Sequence, residues 1–255
     1  MSKTLRNYLF GTHRRHPIAR AVARRAEKIV LAHKNFNYDF ATNGEEFLLR
    51  DVIAPTQPQV IFDVGANVGD WAVMAAQHCA DATIHAFEIV PATADLCAKN
   101  IAHEKRIILN RFGLADQAGE IPIRVYDGLS THSSAVDFPH DAPSRVVPCP
   151  VQTGDDYVRA QNVAQIDLLL LDVEGAENRV MAGFAETLRL GKIRAIQFEY
   201  GRANILSKFL LRDWYELLTP LGYKIGKLYP TYIDFKPYDL RDEDFIGPNY
   251  VAMHS

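Results

Sequence analysis

Short apolar, β-branched runs alternate with helical segments from Pro58 onward, a glycine-containing turn joins the first run to a helix, and acidic residues stand at the ends of several runs. Together these predict one α/β domain with a mostly parallel, Rossmann-like sheet. A chain of 255 residues that is 48% hydrophobic suffices for one sizeable core. No internal repeat or low-complexity tract divides it, so the expected organisation is an N-terminal helical extension over residues 1–50 and a single domain over 51–255.

Taken in order, the basic stretch from Lys3 to Lys34 holds a helix opened by Pro17. Ile18, Val22, Ala26, Ile29 and Val30 fall on one face, and Arg20, Arg24 and Lys28 on the opposite one. A helix packed on the domain with a solvated basic side is expected; peripheral contact with an anionic membrane surface or an acidic substrate carrier is the alternative. Gln59–Val64, Thr83–Phe87, Ile107–Asn110, Ile121–Tyr126, Ile166–Asp172 and Ile193–Glu199 read as strands, with Trp71–His78, Ala92–His103 and Ala176–Leu190 as the helices between them. Leu129–Pro150, rich in Ser, Pro, His and Asp and without a period, reads as a surface excursion. A helix from about Ser207 to Leu218 buries Leu210, Trp214, Leu217 and Leu218 and stops at Pro220–Gly222. Tyr223–Tyr229 and Asn249–His254 suit an antiparallel pair closing the sheet edge.

The formal charge of −3 supplies no global cationic field, which disfavours nucleic acid as a partner. Three cysteines without disulfide or C-x-x-C spacing, and histidines without H-E-x-x-H spacing, support neither a stapled fold nor zinc. No apolar h-region follows the N-terminal charges and no run reaches the ~18 apolar residues a membrane span needs, so a cytoplasmic protein is expected. Oligomeric state is not legible.

The stretch Val60 to Trp71 carries Asp63 at the strand end and Gly65, Ala66, Asn67 and Gly69 in the turn that follows. A side chain at Gly65 would obstruct close passage of a ligand, and the next helix presents unpaired N–H groups at its positive end. Glu88, at the end of the next strand, stands where a carboxylate accepts hydrogen bonds from both ribose hydroxyls. The acidic Asp63 and the absence of a full G-x-G-x-x-G favour S-adenosylmethionine over NAD.

A second stretch, Ile166 to Glu177, delivers Asp172, Glu174 and Glu177 around Gly175. Adjacent carboxylates raise one another's pKa, a cost met where a proton or cation is handled; capping of the next helix is the plainer role for Glu174 and Glu177. Candidate general bases are Asp172, Glu174, Glu199 and His132, the last among Ser130, Thr131, Ser133 and Ser134. Asp172 with Glu174 or Glu199 offers oxygen ligands for Mg2+. Tyr200, Tyr229 and Tyr232 are expected in the core rather than in an acceptor cleft.

The turn from Asp63 to Asp70, the strand end Ala86-Phe87-Glu88 and the turn from Leu171 to Glu177, with a lead-in segment from Tyr38 to Glu45, together resemble the FkbM-type methyltransferase family over roughly residues 36–252. The resemblance implies a class I methyltransferase fold, a seven-stranded sheet whose last strand is antiparallel, S-adenosylmethionine as cosubstrate, and O-methylation of small-molecule, sugar, glycan or natural-product hydroxyls. Two positions depart from the family pattern: Gly154 replaces the usual Leu, and Leu170 stands where a Lys commonly precedes the strand-end Asp. The Asn/Asp-Pro-Pro-aromatic turn of amine and nucleic-acid N-methyltransferases is absent after Leu171. The alternatives are an NAD-linked oxidoreductase and a non-catalytic S-adenosylmethionine-binding subunit.

Overall fold

The structure, a computed structural model, describes residues 2–11, 15–126 and 144–254. Helices α1 (Lys3–Phe10) and α2 (Pro17–His33) precede a short helix α3 (Glu45–Phe47), which runs on through a wide turn, Leu48–Ile53, and a tight one, Ala54–Thr56. Then come β1 (Val60–Val64), α4 (Asp70–His78), β2 (Thr83–Phe87), α5 (Pro91–Asn100), β3 (Ile107–Asn110), β4 (Gly113–Leu114), β5 (Gly119–Tyr126) and β6 (Ser144–Gln152). The chain continues through α6 (Gly154–Ala160), β7 (Leu168–Leu171), α7 (Glu177–Gly183), α8 (Ala185–Arg189), β8 (Ala195–Glu199), α9 (Ala203–Ser207), α10 (Leu211–Leu218), β9 (Tyr223–Tyr229), β10 (Tyr232–Phe235) and β11 (Asn249–His254).

Eight strands form the main sheet in the order β10-β9-β11-β8-β7-β1-β2-β3. Strands β3, β2, β1, β7 and β8 are parallel, whereas β11 runs antiparallel to both β8 and β9. A mostly parallel sheet with a reversed last strand is the arrangement the resemblance implies. The chain builds outward from β1 to β3, then returns to the other side of β1 with β7, so the crevice between the ends of β1 and β7 is the topological switch where ligands of such sheets bind. The fully apolar β7 is buried along its length, as a central parallel strand must be. Phe62, Phe198 and Trp214 lie in the core on one face of the sheet, and Leu48, Ile61 and Leu168 on the other. Indole and phenyl stack at 3.8 Å between Trp214 and Phe198.

Several expectations are corrected. The main sheet has eight strands rather than seven, because Tyr232–Phe235 turns back as a hairpin on β9. Tyr223–Tyr229 and Asn249–His254 do form an antiparallel pair, with Asn249–His254 on its inner side against β8 and β10 at the edge. Ile121–Tyr126 belongs to a separate three-stranded sheet, β4-β6-β5, and Ser144–Pro150 is part of its strand β6 rather than of an excursion. Pro148 and Pro150 disguise that strand, yet β6 meets β4 only through Val151 and Gln152, so both prolines lie where one edge needs no N–H donor. The helix expected over Ala176–Leu190 is two, broken at Phe184. Around residue 50, Leu48, Leu49 and Ile53 are all core residues. Of α2 only Ala19 is buried; its apolar face does not pack on the domain.

Candidate active site

Strand register assembles the site. Val64 pairs with Phe87 on one side and Leu171 on the other, and Leu171 pairs with Phe198. The next residues, Gly65, Glu88, Asp172 and Glu199, therefore share one level at the carboxyl edge, and Asn249 joins them by pairing with Glu199. Four carboxylate and amide side chains from distant segments meet there because strands lie only ~4.8 Å apart.

Two cavities open on this edge and share Gly65, Asn67 and Asp172. The first, about 120 Å³, is lined on one side by Ile89, Val90, Gly113, Leu114 and Ile123 and carries the carboxylate residues Glu88, Asp172 and Glu174. Glu88 is held from both sides: Oε2 accepts from the Asn67 amide at 2.9 Å and Oε1 from the Val90 amide at 2.8 Å. Burial pushes its pKa up to about 7, against the pull of those donors. Each oxygen keeps a further lone pair for a ligand hydroxyl.

The second cavity, about 310 Å³, includes Asp63, Asn67, Trp71, Glu45, Glu199 and Asn249 in its lining. Three buried polar atoms here have no protein partner: Asp63 Oδ2, Asn67 Oδ1 and Trp71 Nε1. Two acceptors and one donor complement an α-ammonium and an α-carboxylate, the amino-acid end of S-adenosylmethionine, and buried polar groups without partners are rare unless a ligand meets them. The Asp63 pKa is held well above the usual carboxylate range by burial and by Asp172, Glu45 and Glu88, a strain that a cation relieves.

The turn works differently from expectation. The Gly65 and Ala66 amides both donate to Phe87 O, at 3.0 and 2.9 Å, so they tie β1 to β2 instead of facing a ligand. Gly65 sits at φ +96°, and a Cβ there would lie 1.8 Å from Asp172 O. The neighbouring backbone alone demands a glycine here, at a position that lines both cavities. A Cβ on Gly69 would press on Ile101 and Cys97.

Among the candidate bases, Asp172, Glu174 and Glu199 each place a carboxylate oxygen within 4.8 Å of the others. Asp172 opens to solvent through the cleft, yet its carboxyl lies deep among protein atoms; burial, then Glu174 and Glu45, push its pKa up to about 7, while a hydrogen bond from Glu199 pulls it down. Glu199 is held well above its usual range by burial and by Asp172. The two carboxyls are hydrogen-bonded and titrate as a pair, with Glu199 the more strongly raised. Glu174, at φ +53°, is pushed up to about 7 by burial and Glu177. Glu177 caps the turn by accepting from the Gly175 amide at 3.0 Å, the plainer of its two roles. His132 and its hydroxyl neighbours lie outside the described residues.

The sequence reading gave Glu45 no role. Its Oε1 accepts from Asn43 and Asn249 and its Oε2 from Gln197, at 2.7 to 2.9 Å, which fixes a buried carboxylate beside Asp172. Tyr38, whose pKa burial and Glu199 push up to about 12, lines the same cavity. Tyr200 is core, stacked on Phe245 and hydrogen-bonded to Glu243, and Tyr229 stacks on Tyr232 away from the cleft. Leu170 is buried in β7, and a Cβ at Gly154 would lie 2.4 Å from the Phe184 ring, so the packing there requires glycine.

Comparison with known proteins places these features. Residues 63–225 match the family described as the methyltransferase FkbM domain. The chain is 31% identical over 154 residues to the 2-O-methyltransferase NoeI of Sinorhizobium fredii, covering 55% of this chain and 63% of that protein. It is 28% identical over 156 residues to the 31-O-demethyl-FK506 methyltransferase FkbM of Streptomyces tacrolimicus, covering 49% and 58%. To the hexuronic acid methyltransferase AglP of Haloferax volcanii it is 24% identical over 148 residues, covering 57% and 59%. The matched region spans about three fifths of the length of each of these relatives.

Proposed function

The chain belongs to the FkbM methyltransferase family, and on that premise we propose that it transfers the methyl group of S-adenosylmethionine to a hydroxyl of a small molecule or glycan. The observation that carries this reading is the trio of unpartnered buried atoms, Asp63 Oδ2, Asn67 Oδ1 and Trp71 Nε1, set beside the Glu88 slot. One end suits an amino acid and the other a ribose and base, and the sulfonium between them falls near Gly65 and Asp172.

Asp172 removes the hydroxyl proton as the acceptor oxygen bonds to the methyl carbon and the carbon–sulfur bond breaks, leaving a neutral thioether. The proton ends on the Asp172 carboxyl and leaves through the open cleft. Glu199 positions Asp172 and tunes its basicity through their shared hydrogen bond. Such a base contributes ~10²–10⁴-fold, and alignment of oxygen, carbon and sulfur supplies more. The relatives named above act on a 2-O position, a hexuronic acid and a 31-O position; a sugar, glycan or natural-product hydroxyl is the acceptor class we carry over. Asp172, Glu174 and Glu199 are also the residues that would hold Mg2+, which would supply a Lewis acid. Loss of activity in EDTA, restored by Mg2+, would favour the ion over the shared proton. A cytoplasmic setting fits three buried, unpaired cysteine thiols.

Thermal shift with S-adenosylmethionine and with NAD tests the cosubstrate, since a ligand at 100 times its Kd adds ~2.7 kcal/mol to stability. Mass spectrometry with labelled cosubstrate and a panel of hydroxylated metabolites and glycans tests the transfer. Stabilisation by NAD alone would return the chain to the oxidoreductase reading; cosubstrate binding without any methylated product would favour a non-catalytic subunit.

A further inference from the structure

The N-terminal extension stands apart from the catalytic unit in both packing and charge. Along α2, Ile18, Val22, Ile29 and Val30 are 63%, 51%, 70% and 48% exposed. At roughly 100° per residue they form one stripe about 140° wide with Ala26 and Ala23. Arg20, Arg24, Arg25 and Lys28 occupy the rest of the circumference and are likewise exposed. The helix is fastened at its end, where Lys34 Nζ meets Asp244 at 2.5 Å and the Asn35 amide donates to Asn43 O and Leu228 O.

Residues 1–34 contain nine Lys and Arg against the single acid Glu27, whereas the remaining residues contain 19 against 30. A near-neutral chain is thus a strongly basic arm on an acidic body. A helix of this length is marginal in water unless its apolar face is covered. Among the described residues only Ala19 of that face is covered, and Ile18, Val22, Ile29 and Val30 are not.

The occupant must therefore offer an apolar layer and negative charge along one line. Nucleic acid would satisfy the basic face and leave the stripe in water. A second copy of the acidic body would meet the basic face through its charge, and light scattering tests it. The headgroup–acyl boundary of an anionic bilayer satisfies both faces of a helix lying in its plane. Among the described residues no helix is long and apolar enough to cross a membrane, so the contact is a surface one.

From this we infer that α2 docks the protein on an anionic lipid surface, with the stripe from Ile18 to Val30 entering the acyl boundary and the arginines and lysine meeting headgroups. The inference does not rest on the methyl-transfer reading, and cosubstrate affinity measured on the same samples keeps the two apart. The test is flotation of the full chain with phosphatidylcholine vesicles that contain or lack phosphatidylglycerol. Binding to the anionic vesicles is expected to exceed binding to neutral ones by about tenfold or more and to weaken with salt. The Ile18→Asp/Ile29→Asp and Arg20→Glu/Arg24→Glu double variants should each lose most of that binding while keeping the wild-type affinity for S-adenosylmethionine.

Equal recovery with both vesicle types overturns the inference, and so does wild-type binding by the Ile18→Asp/Ile29→Asp variant, which would reduce the contact to loose charge attraction. Light scattering covers the remaining occupant: a wild-type dimer that the same variant splits into monomers assigns the stripe to a second copy. A nucleic-acid shift that persists in the Ile variant while vesicles fail assigns the basic face to phosphate backbone.

Discussion

On the cosubstrate side of the cleft, Asp63, Asn67, Trp71 and Glu88 come from one strand–turn–helix–strand unit, and the turn is laced to its neighbour by backbone amides. On the side we propose for the acceptor, Glu45, Asp172, Glu199 and Asn249, which share a cavity with Asp63 and Trp71, come from four separate segments and meet only through sheet register and side-chain hydrogen bonds. A ligand site made from local backbone is rigid before any ligand arrives. One made from convergent carboxylates is instead a coupled proton reservoir, whose properties belong to the group and not to any single residue. Changes on the two sides should therefore fail in different ways.

The largest effect is expected on the acceptor side. Asp172→Asn keeps the shape and leaves the cosubstrate contacts, but the amide cannot take a proton. Once a methylated product is identified, kcat should fall ~10²-fold or more with the cosubstrate Kd within a few-fold. Normal turnover would move the base to Glu174; loss of cosubstrate binding with kcat kept at saturation would erase the division between the two sides. Next in size is Glu88→Ala, which removes charged acceptors from the ribose slot at roughly 1.5–3 kcal/mol, or about tenfold or more in Kd by calorimetry. An unchanged Kd would take Glu88 out of the ribose site.

The smallest effect concerns both sides together. Glu88, Asp172, Glu174 and Glu177 are all pushed up to about 7, and Asp63 and Glu199 well above the usual range. A raised carboxyl pKa means that the folded protein holds protons the unfolded chain releases at about pH 4–4.5. That stabilising contribution is fully present below this pH and is lost as pH rises through about 7. The free protein should therefore melt at a lower temperature at about pH 8 than at about pH 5.5. The sulfonium and ammonium of the cosubstrate favour the ionised carboxylates, so Kd should fall about threefold or more over the same range. A Kd that does not change with pH would mean that the cluster does not sense the cosubstrate.

The parts of the molecule that were legible in the sequence are those whose signals are local. Apolar strands ending in Asp63, Glu88, Asp172 and Glu199 carry their own period and their own terminal charge, and the order in which they occur gives the fold. Glu45 was not legible because its partners Gln197 and Asn249 are far away in sequence and only the assembled sheet brings them close. Strand β6 was hidden by its prolines, and the role of Gly65 was assigned to a ligand when the backbone of Asp172 already requires it. The basic helix was expected to pack because amphipathic helices commonly do, and periodicity alone does not name what covers the apolar face.

The position of β11 bears on the order in which the molecule is made. Strands β8 and β9 are joined in the sheet only through Asn249–His254, so every residue up to the last segment can be synthesised while a gap stands between them. A nascent chain that has completed β1, β2 and β7 already owns the Asp63–Glu88 unit and the turn to Asp172, whereas Asn249, one of the three amides that donate to Glu45 and the neighbour of Glu199, does not yet exist. During biosynthesis β8 and β9 are two open edges, prone to pairing with any extended segment nearby. Strand β11 is thus a seal, and Asn249 reaches Glu199 and Glu45 only after β8 and β9 have been made.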